Sequence, residues 1–514
     1  MNDIMLSIAE TAAKNSTHAA LICQGRIMCY DELERTTTEI ANALTGMGLS
    51  QGHRMAVHWS NSIETALLFL AGFKAGVVVV PVNTHLQVPE IAFILSDSGA
   101  SVCFSEPELA PLAREAARTC GLPNVYTSLP LATGCDIMDS PSFSVANDSA
   151  CIILYTSGTT SHPKGVVHTR RSVAAAVASA ASYWGDSIET TMVMTSLMHV
   201  VALLISLLPA LLKGATAVLV PKFEASDILS TIERFGCTNF ISLPWMADSL
   251  VTEQIARPYK VCSLRQCAAA GDIVSYDLQK RFAESFGIPL LEAFGMTEIG
   301  GAAANSLADN RLGSFGKPLS GFLLRVVDSS GNDLPPGKTG ELIVCSKAIC
   351  SGYWNNPAAT NEAFRDGWFF TGDLARQDED SYFSFVSRKK DLIVHMGYKL
   401  TPFEVEQVLK AHKSITEVGV IGLADSVFGE RAIALVEARN KNEFNELELL
   451  EFARQSLADY KIPERILLVP NIPKNANGKV DRPALKKLAA ELLKNSEIVD
   501  QSSFSEEIVQ NLGV

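Results

Sequence analysis

Features that would assign a chain of 514 residues to several other protein classes are missing from this sequence. The eleven cysteines stand singly, with no C-x-x-C pair and no His/Cys cluster at zinc spacing, which indicates free thiols in a reducing compartment. The first ten residues, MNDIMLSIAE, lack the basic start and apolar core of a secretory signal. These absences predict a cytoplasmic protein.

Runs of like charge and long apolar runs are absent as well. The formal net charge is −13, from 43 Lys and Arg against 56 Asp and Glu, and no Lys/Arg-rich segment interrupts the acidic balance. That balance argues against nonspecific nucleic-acid binding. The most apolar stretch, Val200 to Leu212, is shorter than the about 20 residues that cross a bilayer. We therefore expect a buried helix there and no transmembrane segment.

The chain is too long for one hydrophobic core, and its patterning changes along its length. In the N-terminal part, strand-like apolar runs alternate with helical patterns, which predicts a mainly parallel sheet with helices on its faces. From Gly313 onward, Gly- and Pro-rich turns separate short strands, which indicates a small barrel or sandwich. Beyond Lys390, a further unit of about 100 residues is long enough to be a separate domain.

The predicted fold class is therefore α/β, becoming mixed α+β toward the C-terminus. We expect a large N-terminal domain of helix-flanked sheets over residues 1–389, which includes a small β-barrel-like part over residues 312–386. A small C-terminal α+β domain is expected over residues 390–495, and residues 496–514 form a polar tail without a pattern.

Local patterns predict individual elements near the N-terminus. A hairpin is expected over His18 to Tyr30, with its turn at Gln24-Gly25. Asp31 is expected to cap a helix that runs to about Gly46, because acidic and hydroxylated residues are preferred at helix N-caps.

The stretch with the most chemical content runs from Tyr155 to Thr169 and reads YTSGTTSHPKGVVHT. A candidate buried strand, Cys151 to Leu154, leads into small and hydroxylated residues, and Lys164 and Gly165 follow. Small residues let backbone N–H groups approach an anion, while hydroxyls and an ammonium add donors. The pattern predicts a phosphate-binding loop that is not a Walker loop, although a polar turn after a strand would look the same. The candidate phosphate-binding residues are Thr156, Ser157, Gly158, Thr159, Thr160 and Lys164.

This loop resembles the phosphate loop of the adenylate-forming superfamily, which includes acyl-CoA synthetases, peptide-synthetase adenylation domains and luciferases. The usual form is [ST]-S-G-[ST]-T-G-x-P-K-G, and Ser161 stands where glycine is more frequent. Further motifs of the family follow in the right order over about residues 155–482. The resemblance implies a nucleotide-binding N-terminal domain and a small, mobile C-terminal domain.

A second motif, EAFGMTE at residues 292–298, resembles the family's Y-G-x-T-E. By resemblance, Phe294 stacks on the purine beside Gly295, and Thr297 offers its hydroxyl to the α-phosphate. Glu298 would bind Mg²⁺, which prefers one or two carboxylates together with phosphate oxygens. A turn before a helix, capped by Thr and Glu, is the plain structural alternative for this heptapeptide.

Three shorter motifs carry further nucleotide contacts by resemblance. Gly271-Asp272 occupies a turn that lies against the adenine in the family, although Gly-Asp alone is an ordinary turn. Asp373, in TGD, matches the carboxylate that accepts hydrogen bonds from both ribose hydroxyls. In SRKKD, Arg388 matches a nucleotide-contacting arginine, and Lys390 matches the hinge between the domains. A solvated surface lysine is the alternative for Lys390.

The C-terminal motifs concern acyl transfer. MGYK resembles the G-G-x-[KN] loop that lines the pantetheine path in CoA ligases, with Gly397 retained and Met396 in place of the first glycine. PKNANGK ends at Lys479, which matches the adenylation lysine of the family. The resemblance further implies that the small domain turns about Lys390 between two half-reactions, withdrawing Lys479 and presenting the Gly397 face.

The substrate pocket is less clearly marked. His199 stands where the family has a histidine or an aromatic residue near the carboxylate, and a hydrogen-bonded core histidine explains it equally well. The segment from His199 to Pro209, with Leu243 to Met246, is apolar and has no aspartate to pair with an amino group. This composition favours a fatty or aryl acid over an amino acid.

The resemblance therefore implies an acyl-CoA synthetase that uses ATP, Mg²⁺ and coenzyme A on a hydrophobic carboxylic acid, with a medium- or long-chain fatty acid as the favoured substrate. The acid attacks the α-phosphorus of ATP to give an acyl-adenylate and pyrophosphate, and the CoA thiolate then attacks the acyl carbon. Because acid and ATP are both anionic, the first barrier is largely electrostatic and positional.

Other functions stay open on the sequence alone. They are an aryl-CoA ligase of the coumarate or benzoate kind, a stand-alone enzyme that loads a carrier protein, a luciferase-type oxygenase, and an inactive scaffold on the same fold. Retention of Glu298, Asp373, Arg388 and Lys479 argues against the scaffold. A homodimer is a further hypothesis about partners, and nucleic acid is not an expected partner.

Overall fold

The computed structural model describes residues 3–131, 146–156, 163–395, 398–425, 429–441, 444–457, 461–475 and 478–494. The chain divides into two compact units. The first takes the chain up to Arg325 with Ile343–Thr371 and Gln377–Ser384, and the second takes Val326–Leu342, Gly372–Arg376 and the chain from Phe385 onward.

Helices and strands alternate along most of the first unit. Up to Thr169 the elements are α1 Ile4–Lys14, β1 Ala19–Cys23, β2 Arg26–Cys29, α2 Tyr30–Gly46, β3 Arg54–His58, α3 Ile63–Ala75, β4 Val78–Pro81, α4 Val88–Ser98, β5 Val102–Ser105, α5 Ala110–Cys120, β6 Val125–Tyr126, β7 Ala150–Thr156 and β8 Lys164–Thr169. Up to Ala304 they are α6 Arg170–Trp184, β9 Thr190–Val193, a π-helix Val201–Leu207, α7 Leu208–Leu212, β10 Thr216–Leu219, α8 Ala225–Phe235, β11 Asn239–Ser242, α9 Pro244–Ala256, β12 Gln266–Ala269, α10 Tyr276–Phe286, β13 Leu290–Met296 and β14 Gly300–Ala304.

The remaining elements follow the change of patterning seen in the sequence. They are β15 Lys317–Pro318, β16 Phe322–Val327, β17 Thr339–Ser346, β18 Gly352–Tyr353, α11 Pro357–Ala363, β19 Phe364–Arg365, β20 Trp368–Gln377, β21 Phe383–Arg388, β22 Ile393–His395, β23 Tyr398–Leu400, α12 Pro402–Lys410, β24 Ile415–Asp425, β25 Gly429–Ala438, α13 Glu446–Arg454 and β26 Arg465–Leu468. Short 3₁₀ turns occur at Gly185–Ser187 and Lys389–Asp391, and a final helical segment covers residues 482–494.

Two sheets form the framework of the first unit. One has the order β15-β14-β13-β12-β11-β9-β10-β1-β2, and the other has the order β18-β8-β7-β4-β3-β5-β6. Their central strands pair in parallel, and antiparallel strands lie only toward the edges. All four residues of Val78–Pro81 are buried, as expected for a strand covered by helices on both faces. The predicted helix-flanked parallel sheets are confirmed.

The hairpin predicted near the N-terminus is confirmed, whereas the predicted helix cap is wrong. Strands β1 and β2 pair in antiparallel register around Gln24 and Gly25, which both have positive φ. Helix α2 begins at Tyr30 rather than after Asp31. Tyr30 is drawn inward because its buried hydroxyl donates to the carbonyl of Ala215 at 2.7 Å. The Asp31 carboxylate instead accepts from the backbone N–H of Glu32 within the first helical turn.

The apolar stretch around residue 205 is buried, as predicted, but it is not one regular helix. The π-helix Val201–Leu207 passes into α7 at Leu208. Pro209 has no N–H, so in an α-helix the carbonyl of Ile205 would lose its usual donor. The indole N–H of Trp184 supplies that donor at 2.8 Å. Among the described helices, none is long and apolar enough to cross a membrane.

The second unit has its own sheet and two hydrophobic clusters. The sheet order is β23-β22-β25-β24, and β26 pairs in parallel with β25. Alternate residues of β24 and β25 belong to different clusters: Val420 and Ala434 lie in the cluster with α12 and α13, whereas Ile421 and Leu435 lie in the cluster with the final helix. This period of two shows that helices cover both faces of the sheet.

A further five-stranded sheet has the order β16-β17-β20-β19, with β21 on β20. The fold class, α/β becoming α+β, is confirmed.

Candidate active site

The two ends of the phosphate-loop motif lie on the antiparallel strands β7 and β8. Thr156 and Lys164 are paired residues in the antiparallel register, which brings the two ends of the motif together. Gly165 follows at a close approach: a Cβ there would lie 2.9 Å from Cγ2 of Ile153 and 3.1 Å from Cβ of Trp354, so this position must stay small. The candidate residues between these ends, Ser157, Gly158, Thr159 and Thr160, lie outside the described residues.

The EAFGMTE motif forms the end of β13 and the turn into β14. Gly295 faces Gly301 across the pair, and a Cβ on Gly295 would lie 2.3 Å from the carbonyl oxygen of Gly300. Glycine is therefore required at Gly295 by close backbone approach. The turn that follows presents Thr297 and Glu298, which are 9% and 8% exposed. Both predicted ligand side chains thus lie in a largely desolvated turn.

Glu298 and Lys164 both contact Tyr353, a residue that the sequence analysis did not single out. The hydroxyl of Tyr353 donates to Oε1 of Glu298 at 2.9 Å. Nζ of Lys164 lies 4.9 Å from the centre of the Tyr353 ring, within the range of a cation–π contact. Nothing in the sequence around Tyr353 indicates this proximity, because the partners lie 55 and 189 residues earlier in the chain.

A buried histidine fixes the backbone of the same turn. Nε2 of His168 lies 2.7 Å from the carbonyl oxygen of Thr297, and its Nδ1 lies 3.1 Å from Oγ of Ser172. Because a carbonyl can only accept, Nε2 carries the proton and donates. Burial lowers the pKa of His168 to about 4, so the ring is neutral near pH 7. His168 lies inside the phosphate-loop motif, but its apolar sequence neighbours gave no functional signal.

The structure describes all three candidate adenine-binding positions, Gly271, Asp272 and Phe294. The ring of Phe294 stacks on Phe315 with a centroid distance of 4.7 Å and an interplanar angle of 28°. Gly271 has φ of +89°, a conformation that favours glycine. Asp272 is exposed, and its Oδ1 accepts from the backbone N–H of Ile273 at 2.9 Å, which closes the turn.

Behind this turn lies a buried carboxyl group, that of Glu292. It is 8% exposed, and burial raises its pKa to about 7. Hydrogen bonds from the backbone of Val274 and from Nε2 of Gln279, the latter at 3.4 Å, oppose the rise. Both of these donors are neutral groups. The position of Glu292 at the start of EAFGMTE was visible in the sequence, but its burial was not.

His199 lies at the start of the π-helix and is half-buried. Its Nδ1 lies 3.4 Å from the backbone nitrogen of Val201, and its carbonyl accepts from the N–H of Leu203 at 3.3 Å. The preceding loop is held by Asn61, whose Oδ1 accepts from the N–H of Leu197 at 2.7 Å. These two contacts are those of a residue at a helix start, and a substrate-binding role of His199 stays a prediction.

In the second unit, Asp373 and Arg388 form an ion pair. Nε of Arg388 lies 3.1 Å from Oδ1 of Asp373. Asp373 is only 3% exposed, and burial raises its pKa, while the charges of Arg388, Lys479 and Lys390 oppose that rise. Burial also lowers the pKa of Lys390, against the opposing charge of Asp391. Four residues that the sequence assigned to the nucleotide, the hinge and adenylation therefore interact electrostatically in this unit.

Lys479 projects from a tight turn whose backbone is clamped by Asn475. The side-chain Oδ1 of Asn475 accepts from the N–H of Lys479 at 3.1 Å, and the N–H of Asn475 donates to the carbonyl of Lys479 at 2.8 Å. Gly478 has φ of +77°, and Lys474 pairs with Val480 on the two sides of the turn. Gly397, the candidate residue for coenzyme A, lies outside the described residues.

Two protein-family models match most of the chain. The model of the AMP-binding enzyme family matches residues 8–354, and the model of the AMP-binding enzyme C-terminal domain matches residues 404–479. The chain is an AMP-binding enzyme.

This AMP-binding enzyme is 34% identical over 492 residues to a feruloyl-CoA synthase of an Amycolatopsis species, covering 91% of this chain and 95% of the relative. It is 31% identical over 472 residues to a long-chain-fatty-acid–CoA ligase of Mycobacterium tuberculosis, covering 89% and 92%. The structure of o-succinylbenzoate CoA synthetase from Bacillus subtilis, in complex with its acyl-adenylate intermediate, is similar with a TM-score of 0.86 and 26% identity, over 95% of this chain and 98% of that one.

These comparisons confirm that the AMP-binding enzyme belongs to the adenylate-forming superfamily of acyl-CoA synthetases and is an ATP-dependent, AMP-forming ligase. The relatives act on different acids, so the shared feature is the CoA-ligase reaction rather than one substrate.

The donor chemistry of the described site fits the predicted magnesium ion. Mg²⁺ keeps several waters and takes one or two carboxylates together with substrate phosphates. The carboxylate of Glu298, which is largely buried, is an oxygen ligand of this kind. Within the described residues, no group of three or more His, Cys, Asp or Glu could hold a metal, so the AMP-binding enzyme offers one carboxylate here rather than a cage.

Proposed function

We propose that this AMP-binding enzyme activates a hydrophobic carboxylic acid, a medium- or long-chain fatty acid, and transfers it to coenzyme A. The observation that carries the substrate class is the segment Ala202–Ala210, which is entirely buried and contains no charged residue. A charged head group on a substrate that contacts this segment would have no partner there. The similarity to a long-chain-fatty-acid–CoA ligase agrees with this choice.

In the first half-reaction, the carboxylate of the acid attacks the α-phosphorus of ATP, and pyrophosphate leaves. Both reactants are negative, so residues that compensate charge would lower the barrier. Lys164 and Thr156 would bind phosphate oxygens, and Thr297 would donate its hydroxyl to the α-phosphate. Glu298 would hold Mg²⁺, which neutralises phosphate charge when bound. The ring of Phe294, supported by Phe315, would stack on the adenine.

The residues of the second unit would complete nucleotide binding and then acyl transfer. Asp373 would accept from the ribose hydroxyls, with Arg388 orienting its carboxylate. Lys479, on its clamped turn, would add a positive charge to the phosphates during adenylation. We place the start of the C-terminal domain, and the hinge for the change to thioester formation, at Lys390. Gly397 would line the path of the pantetheine arm.

A second candidate function is an aryl-CoA ligase. The observation that favours it is the feruloyl-CoA synthase relative, which is 34% identical over 91% of this chain. An aryl acid is also apolar, so the buried segment around residue 205 is compatible with either substrate. The two candidates share every nucleotide-binding residue and differ only in the acid.

Acid-dependent exchange of labelled pyrophosphate into ATP tests the proposal directly. A panel of fatty acids, aryl acids and amino acids is assayed first, and each positive acid is repeated with coenzyme A while the thioester is measured. We expect exchange and thioester formation with aliphatic acids of eight or more carbons. Exchange with aryl acids alone would establish the second candidate. Exchange without thioester formation would indicate carrier-protein loading, and no exchange with any acid would contradict the proposed function.

A further inference from the structure

Tyr353 joins two residues of opposite charge that belong to separate motifs. Its hydroxyl donates to Oε1 of Glu298 at 2.9 Å, and its ring lies 4.9 Å from Nζ of Lys164. All three residues belong to the first compact unit. Tyr353 is outside every motif that carries a nucleotide contact, and none of the nucleotide-binding roles assigned above involves it.

The backbone around Tyr353 is anchored to the elements that carry both partners. Strand β18 pairs with β8, with Tyr353 opposite Val166, two residues after Lys164. The N–H of Cys350 donates to the carbonyl of Glu298 at 2.8 Å, and the N–H of Tyr353 donates to Oγ1 of Thr360 at 2.9 Å. The phenol therefore approaches Glu298 from a fixed position rather than from a free loop.

The direction of the hydrogen bond follows from the charges. A phenol keeps its proton at neutral pH, because its ordinary pKa is about 10. Tyr353 is consequently the donor, and Glu298 accepts as a carboxylate. The ammonium of Lys164 is attracted to the face of the same ring.

We propose that Tyr353 is a positioning residue for adenylation, a role that rests on the proposed function. Its hydroxyl orients the Glu298 carboxylate toward the divalent cation that accompanies ATP, and its ring holds the Lys164 ammonium beside the phosphates. Tyr353 would thus fix the positions of both groups, Glu298 for the cation and Lys164 for the phosphates. Tyr353 itself would touch neither the acid nor coenzyme A.

The variant that isolates the hydroxyl is Tyr353→Phe, which keeps the ring against Lys164. ATP binding is measured by calorimetry on the full chain, once with Mg²⁺ and once with EDTA. We expect affinity for ATP with Mg²⁺ to fall about tenfold, the order expected when a hydrogen bond to a charged group is lost. We expect affinity in EDTA to stay within twofold of the wild-type chain, because Lys164 is still held. Equal weakening in both conditions, or none in either, would overturn the proposal.

The chain offers a matched control far from these motifs. The hydroxyl of Tyr259 also donates to a glutamate, Oε1 of Glu253, at 2.9 Å, and its ring also faces a cation, Arg257, at 5.4 Å. Tyr259→Phe should leave ATP affinity unchanged with Mg²⁺ and with EDTA. A loss in this control equal to that of Tyr353→Phe would show a general effect on folding and would overturn the assignment.

Two further variants separate the roles of the hydroxyl and the ring. In a Glu298→Gln chain, adding Tyr353→Phe should cause no further loss of Mg²⁺-dependent ATP affinity, because the group that the hydroxyl orients no longer binds the cation. A full additive loss would contradict the coupling. Tyr353→Leu, which also removes the ring, should weaken ATP binding in EDTA by several fold. If the wild-type chain bound no ATP, the proposed function itself would fail, a result distinct from all of these.

Discussion

The two compact units stabilise their buried carboxylates by different means. In the first unit, Glu292 receives hydrogen bonds from neutral groups, and burial raises its pKa to about 7. In the second unit, Asp373 is as deeply buried, but Arg388, Lys479 and Lys390 oppose the rise of its pKa with full charges. Neutral donors fix geometry without adding charge, whereas cations also compensate the charge of a ligand.

The same difference extends to the candidate catalytic groups. The turn with Thr297 and Glu298 is held by uncharged donors, the neutral His168 and the phenol of Tyr353. The second unit instead presents cations, of which Lys479 is held through its backbone by Asn475. The uncharged donors of the first unit are suited to holding one geometry. The cations of the second unit are suited to supplying positive charge. Substitutions in either unit test this difference.

The largest expected effect is the loss of the Lys479 charge. Lys479→Ala should lower acid-dependent ATP–pyrophosphate exchange by about 10³-fold, the order found when a group that stabilises transition-state charge is removed. Thioester formation from supplied acyl-adenylate should stay within a few fold of the wild-type rate.

Lys474→Ala is the matched control for this prediction, because Lys474 lies on the same turn and pairs with Glu417 at 3.2 Å. It should leave both half-reactions nearly unchanged. Equal loss of adenylation and thioester formation in Lys479→Ala would show that the lysine supports the fold of the turn rather than the first half-reaction.

The variant Glu292→Gln tests, through the pH dependence of stability, how neutral donors stabilise the buried carboxyl group of Glu292. The folded pKa of Glu292, about 7, lies above its ordinary value of 4.5, so its contribution to stability is fully present below pH 4.5 and is lost as pH rises through 7. Glutamine does not ionise. We expect the variant to match wild-type stability near pH 4.5 and to exceed it by about 3 kcal/mol above pH 7. Melting temperatures from pH 4.5 to 8.5 provide the measurement.

The opposite sign is expected for a carboxylate of the second unit. Burial would raise the pKa of Glu417, but hydrogen bonds and charges from Lys410 and Lys474 outweigh it and lower the pKa. Glu417→Gln should therefore reduce the melting temperature at neutral pH. A stabilising effect of Glu417→Gln, or a Glu292→Gln curve parallel to the wild-type curve, would remove the distinction between neutral and charged compensation.

Sequence patterns predicted the helix-flanked sheets because buried strands such as Val78–Pro81 are continuous apolar runs with helical patterns between them. They also predicted motif residues that the structure brings together, such as Asp373 and Arg388. The helix cap at Asp31 was wrong because Tyr30 makes a tertiary hydrogen bond to Ala215, and a local pattern does not contain that contact.

The supporting residues of the site could not be predicted for the same reason. His168 acts on Thr297, 129 residues away, and Tyr353 acts on Glu298, 55 residues away. Neither residue belongs to a local pattern that indicates its partner, since their proximity results from pairing of β18 with β8 and from the β13–β14 turn. The motifs therefore locate the groups that would touch ATP, and the fold alone locates the groups that hold them.

His168→Leu tests the uncharged support of the Thr297 turn. Removing the ring leaves the buried carbonyl of Thr297 without this donor, which should cost about 1–3 kcal/mol of stability. We also expect exchange activity to fall about tenfold, because the hydroxyl of Thr297 moves with its backbone. His58→Leu is the control: His58 is equally buried and contacts Ser105, away from the motifs. It should lower the melting temperature but leave kcat unchanged, and a similar kcat loss in both variants would refute the specific role of His168.

The smallest effect is expected for Arg388→Lys, which keeps the charge but removes the planar guanidinium. The Arg388 side chain is 40% exposed, so its ion pair with Asp373 should contribute less than about 1 kcal/mol to stability. We expect an unchanged melting temperature and an about threefold higher KM for ATP, because lysine supplies the charge without the planar guanidinium. Arg431→Lys is a control of similar exposure, paired with Glu464 at 3.0 Å, and should change neither quantity. If Arg388→Lys lost activity as severely as Lys479→Ala, the second unit would depend on exact geometry as the first unit does, and the contrast between the two would fail.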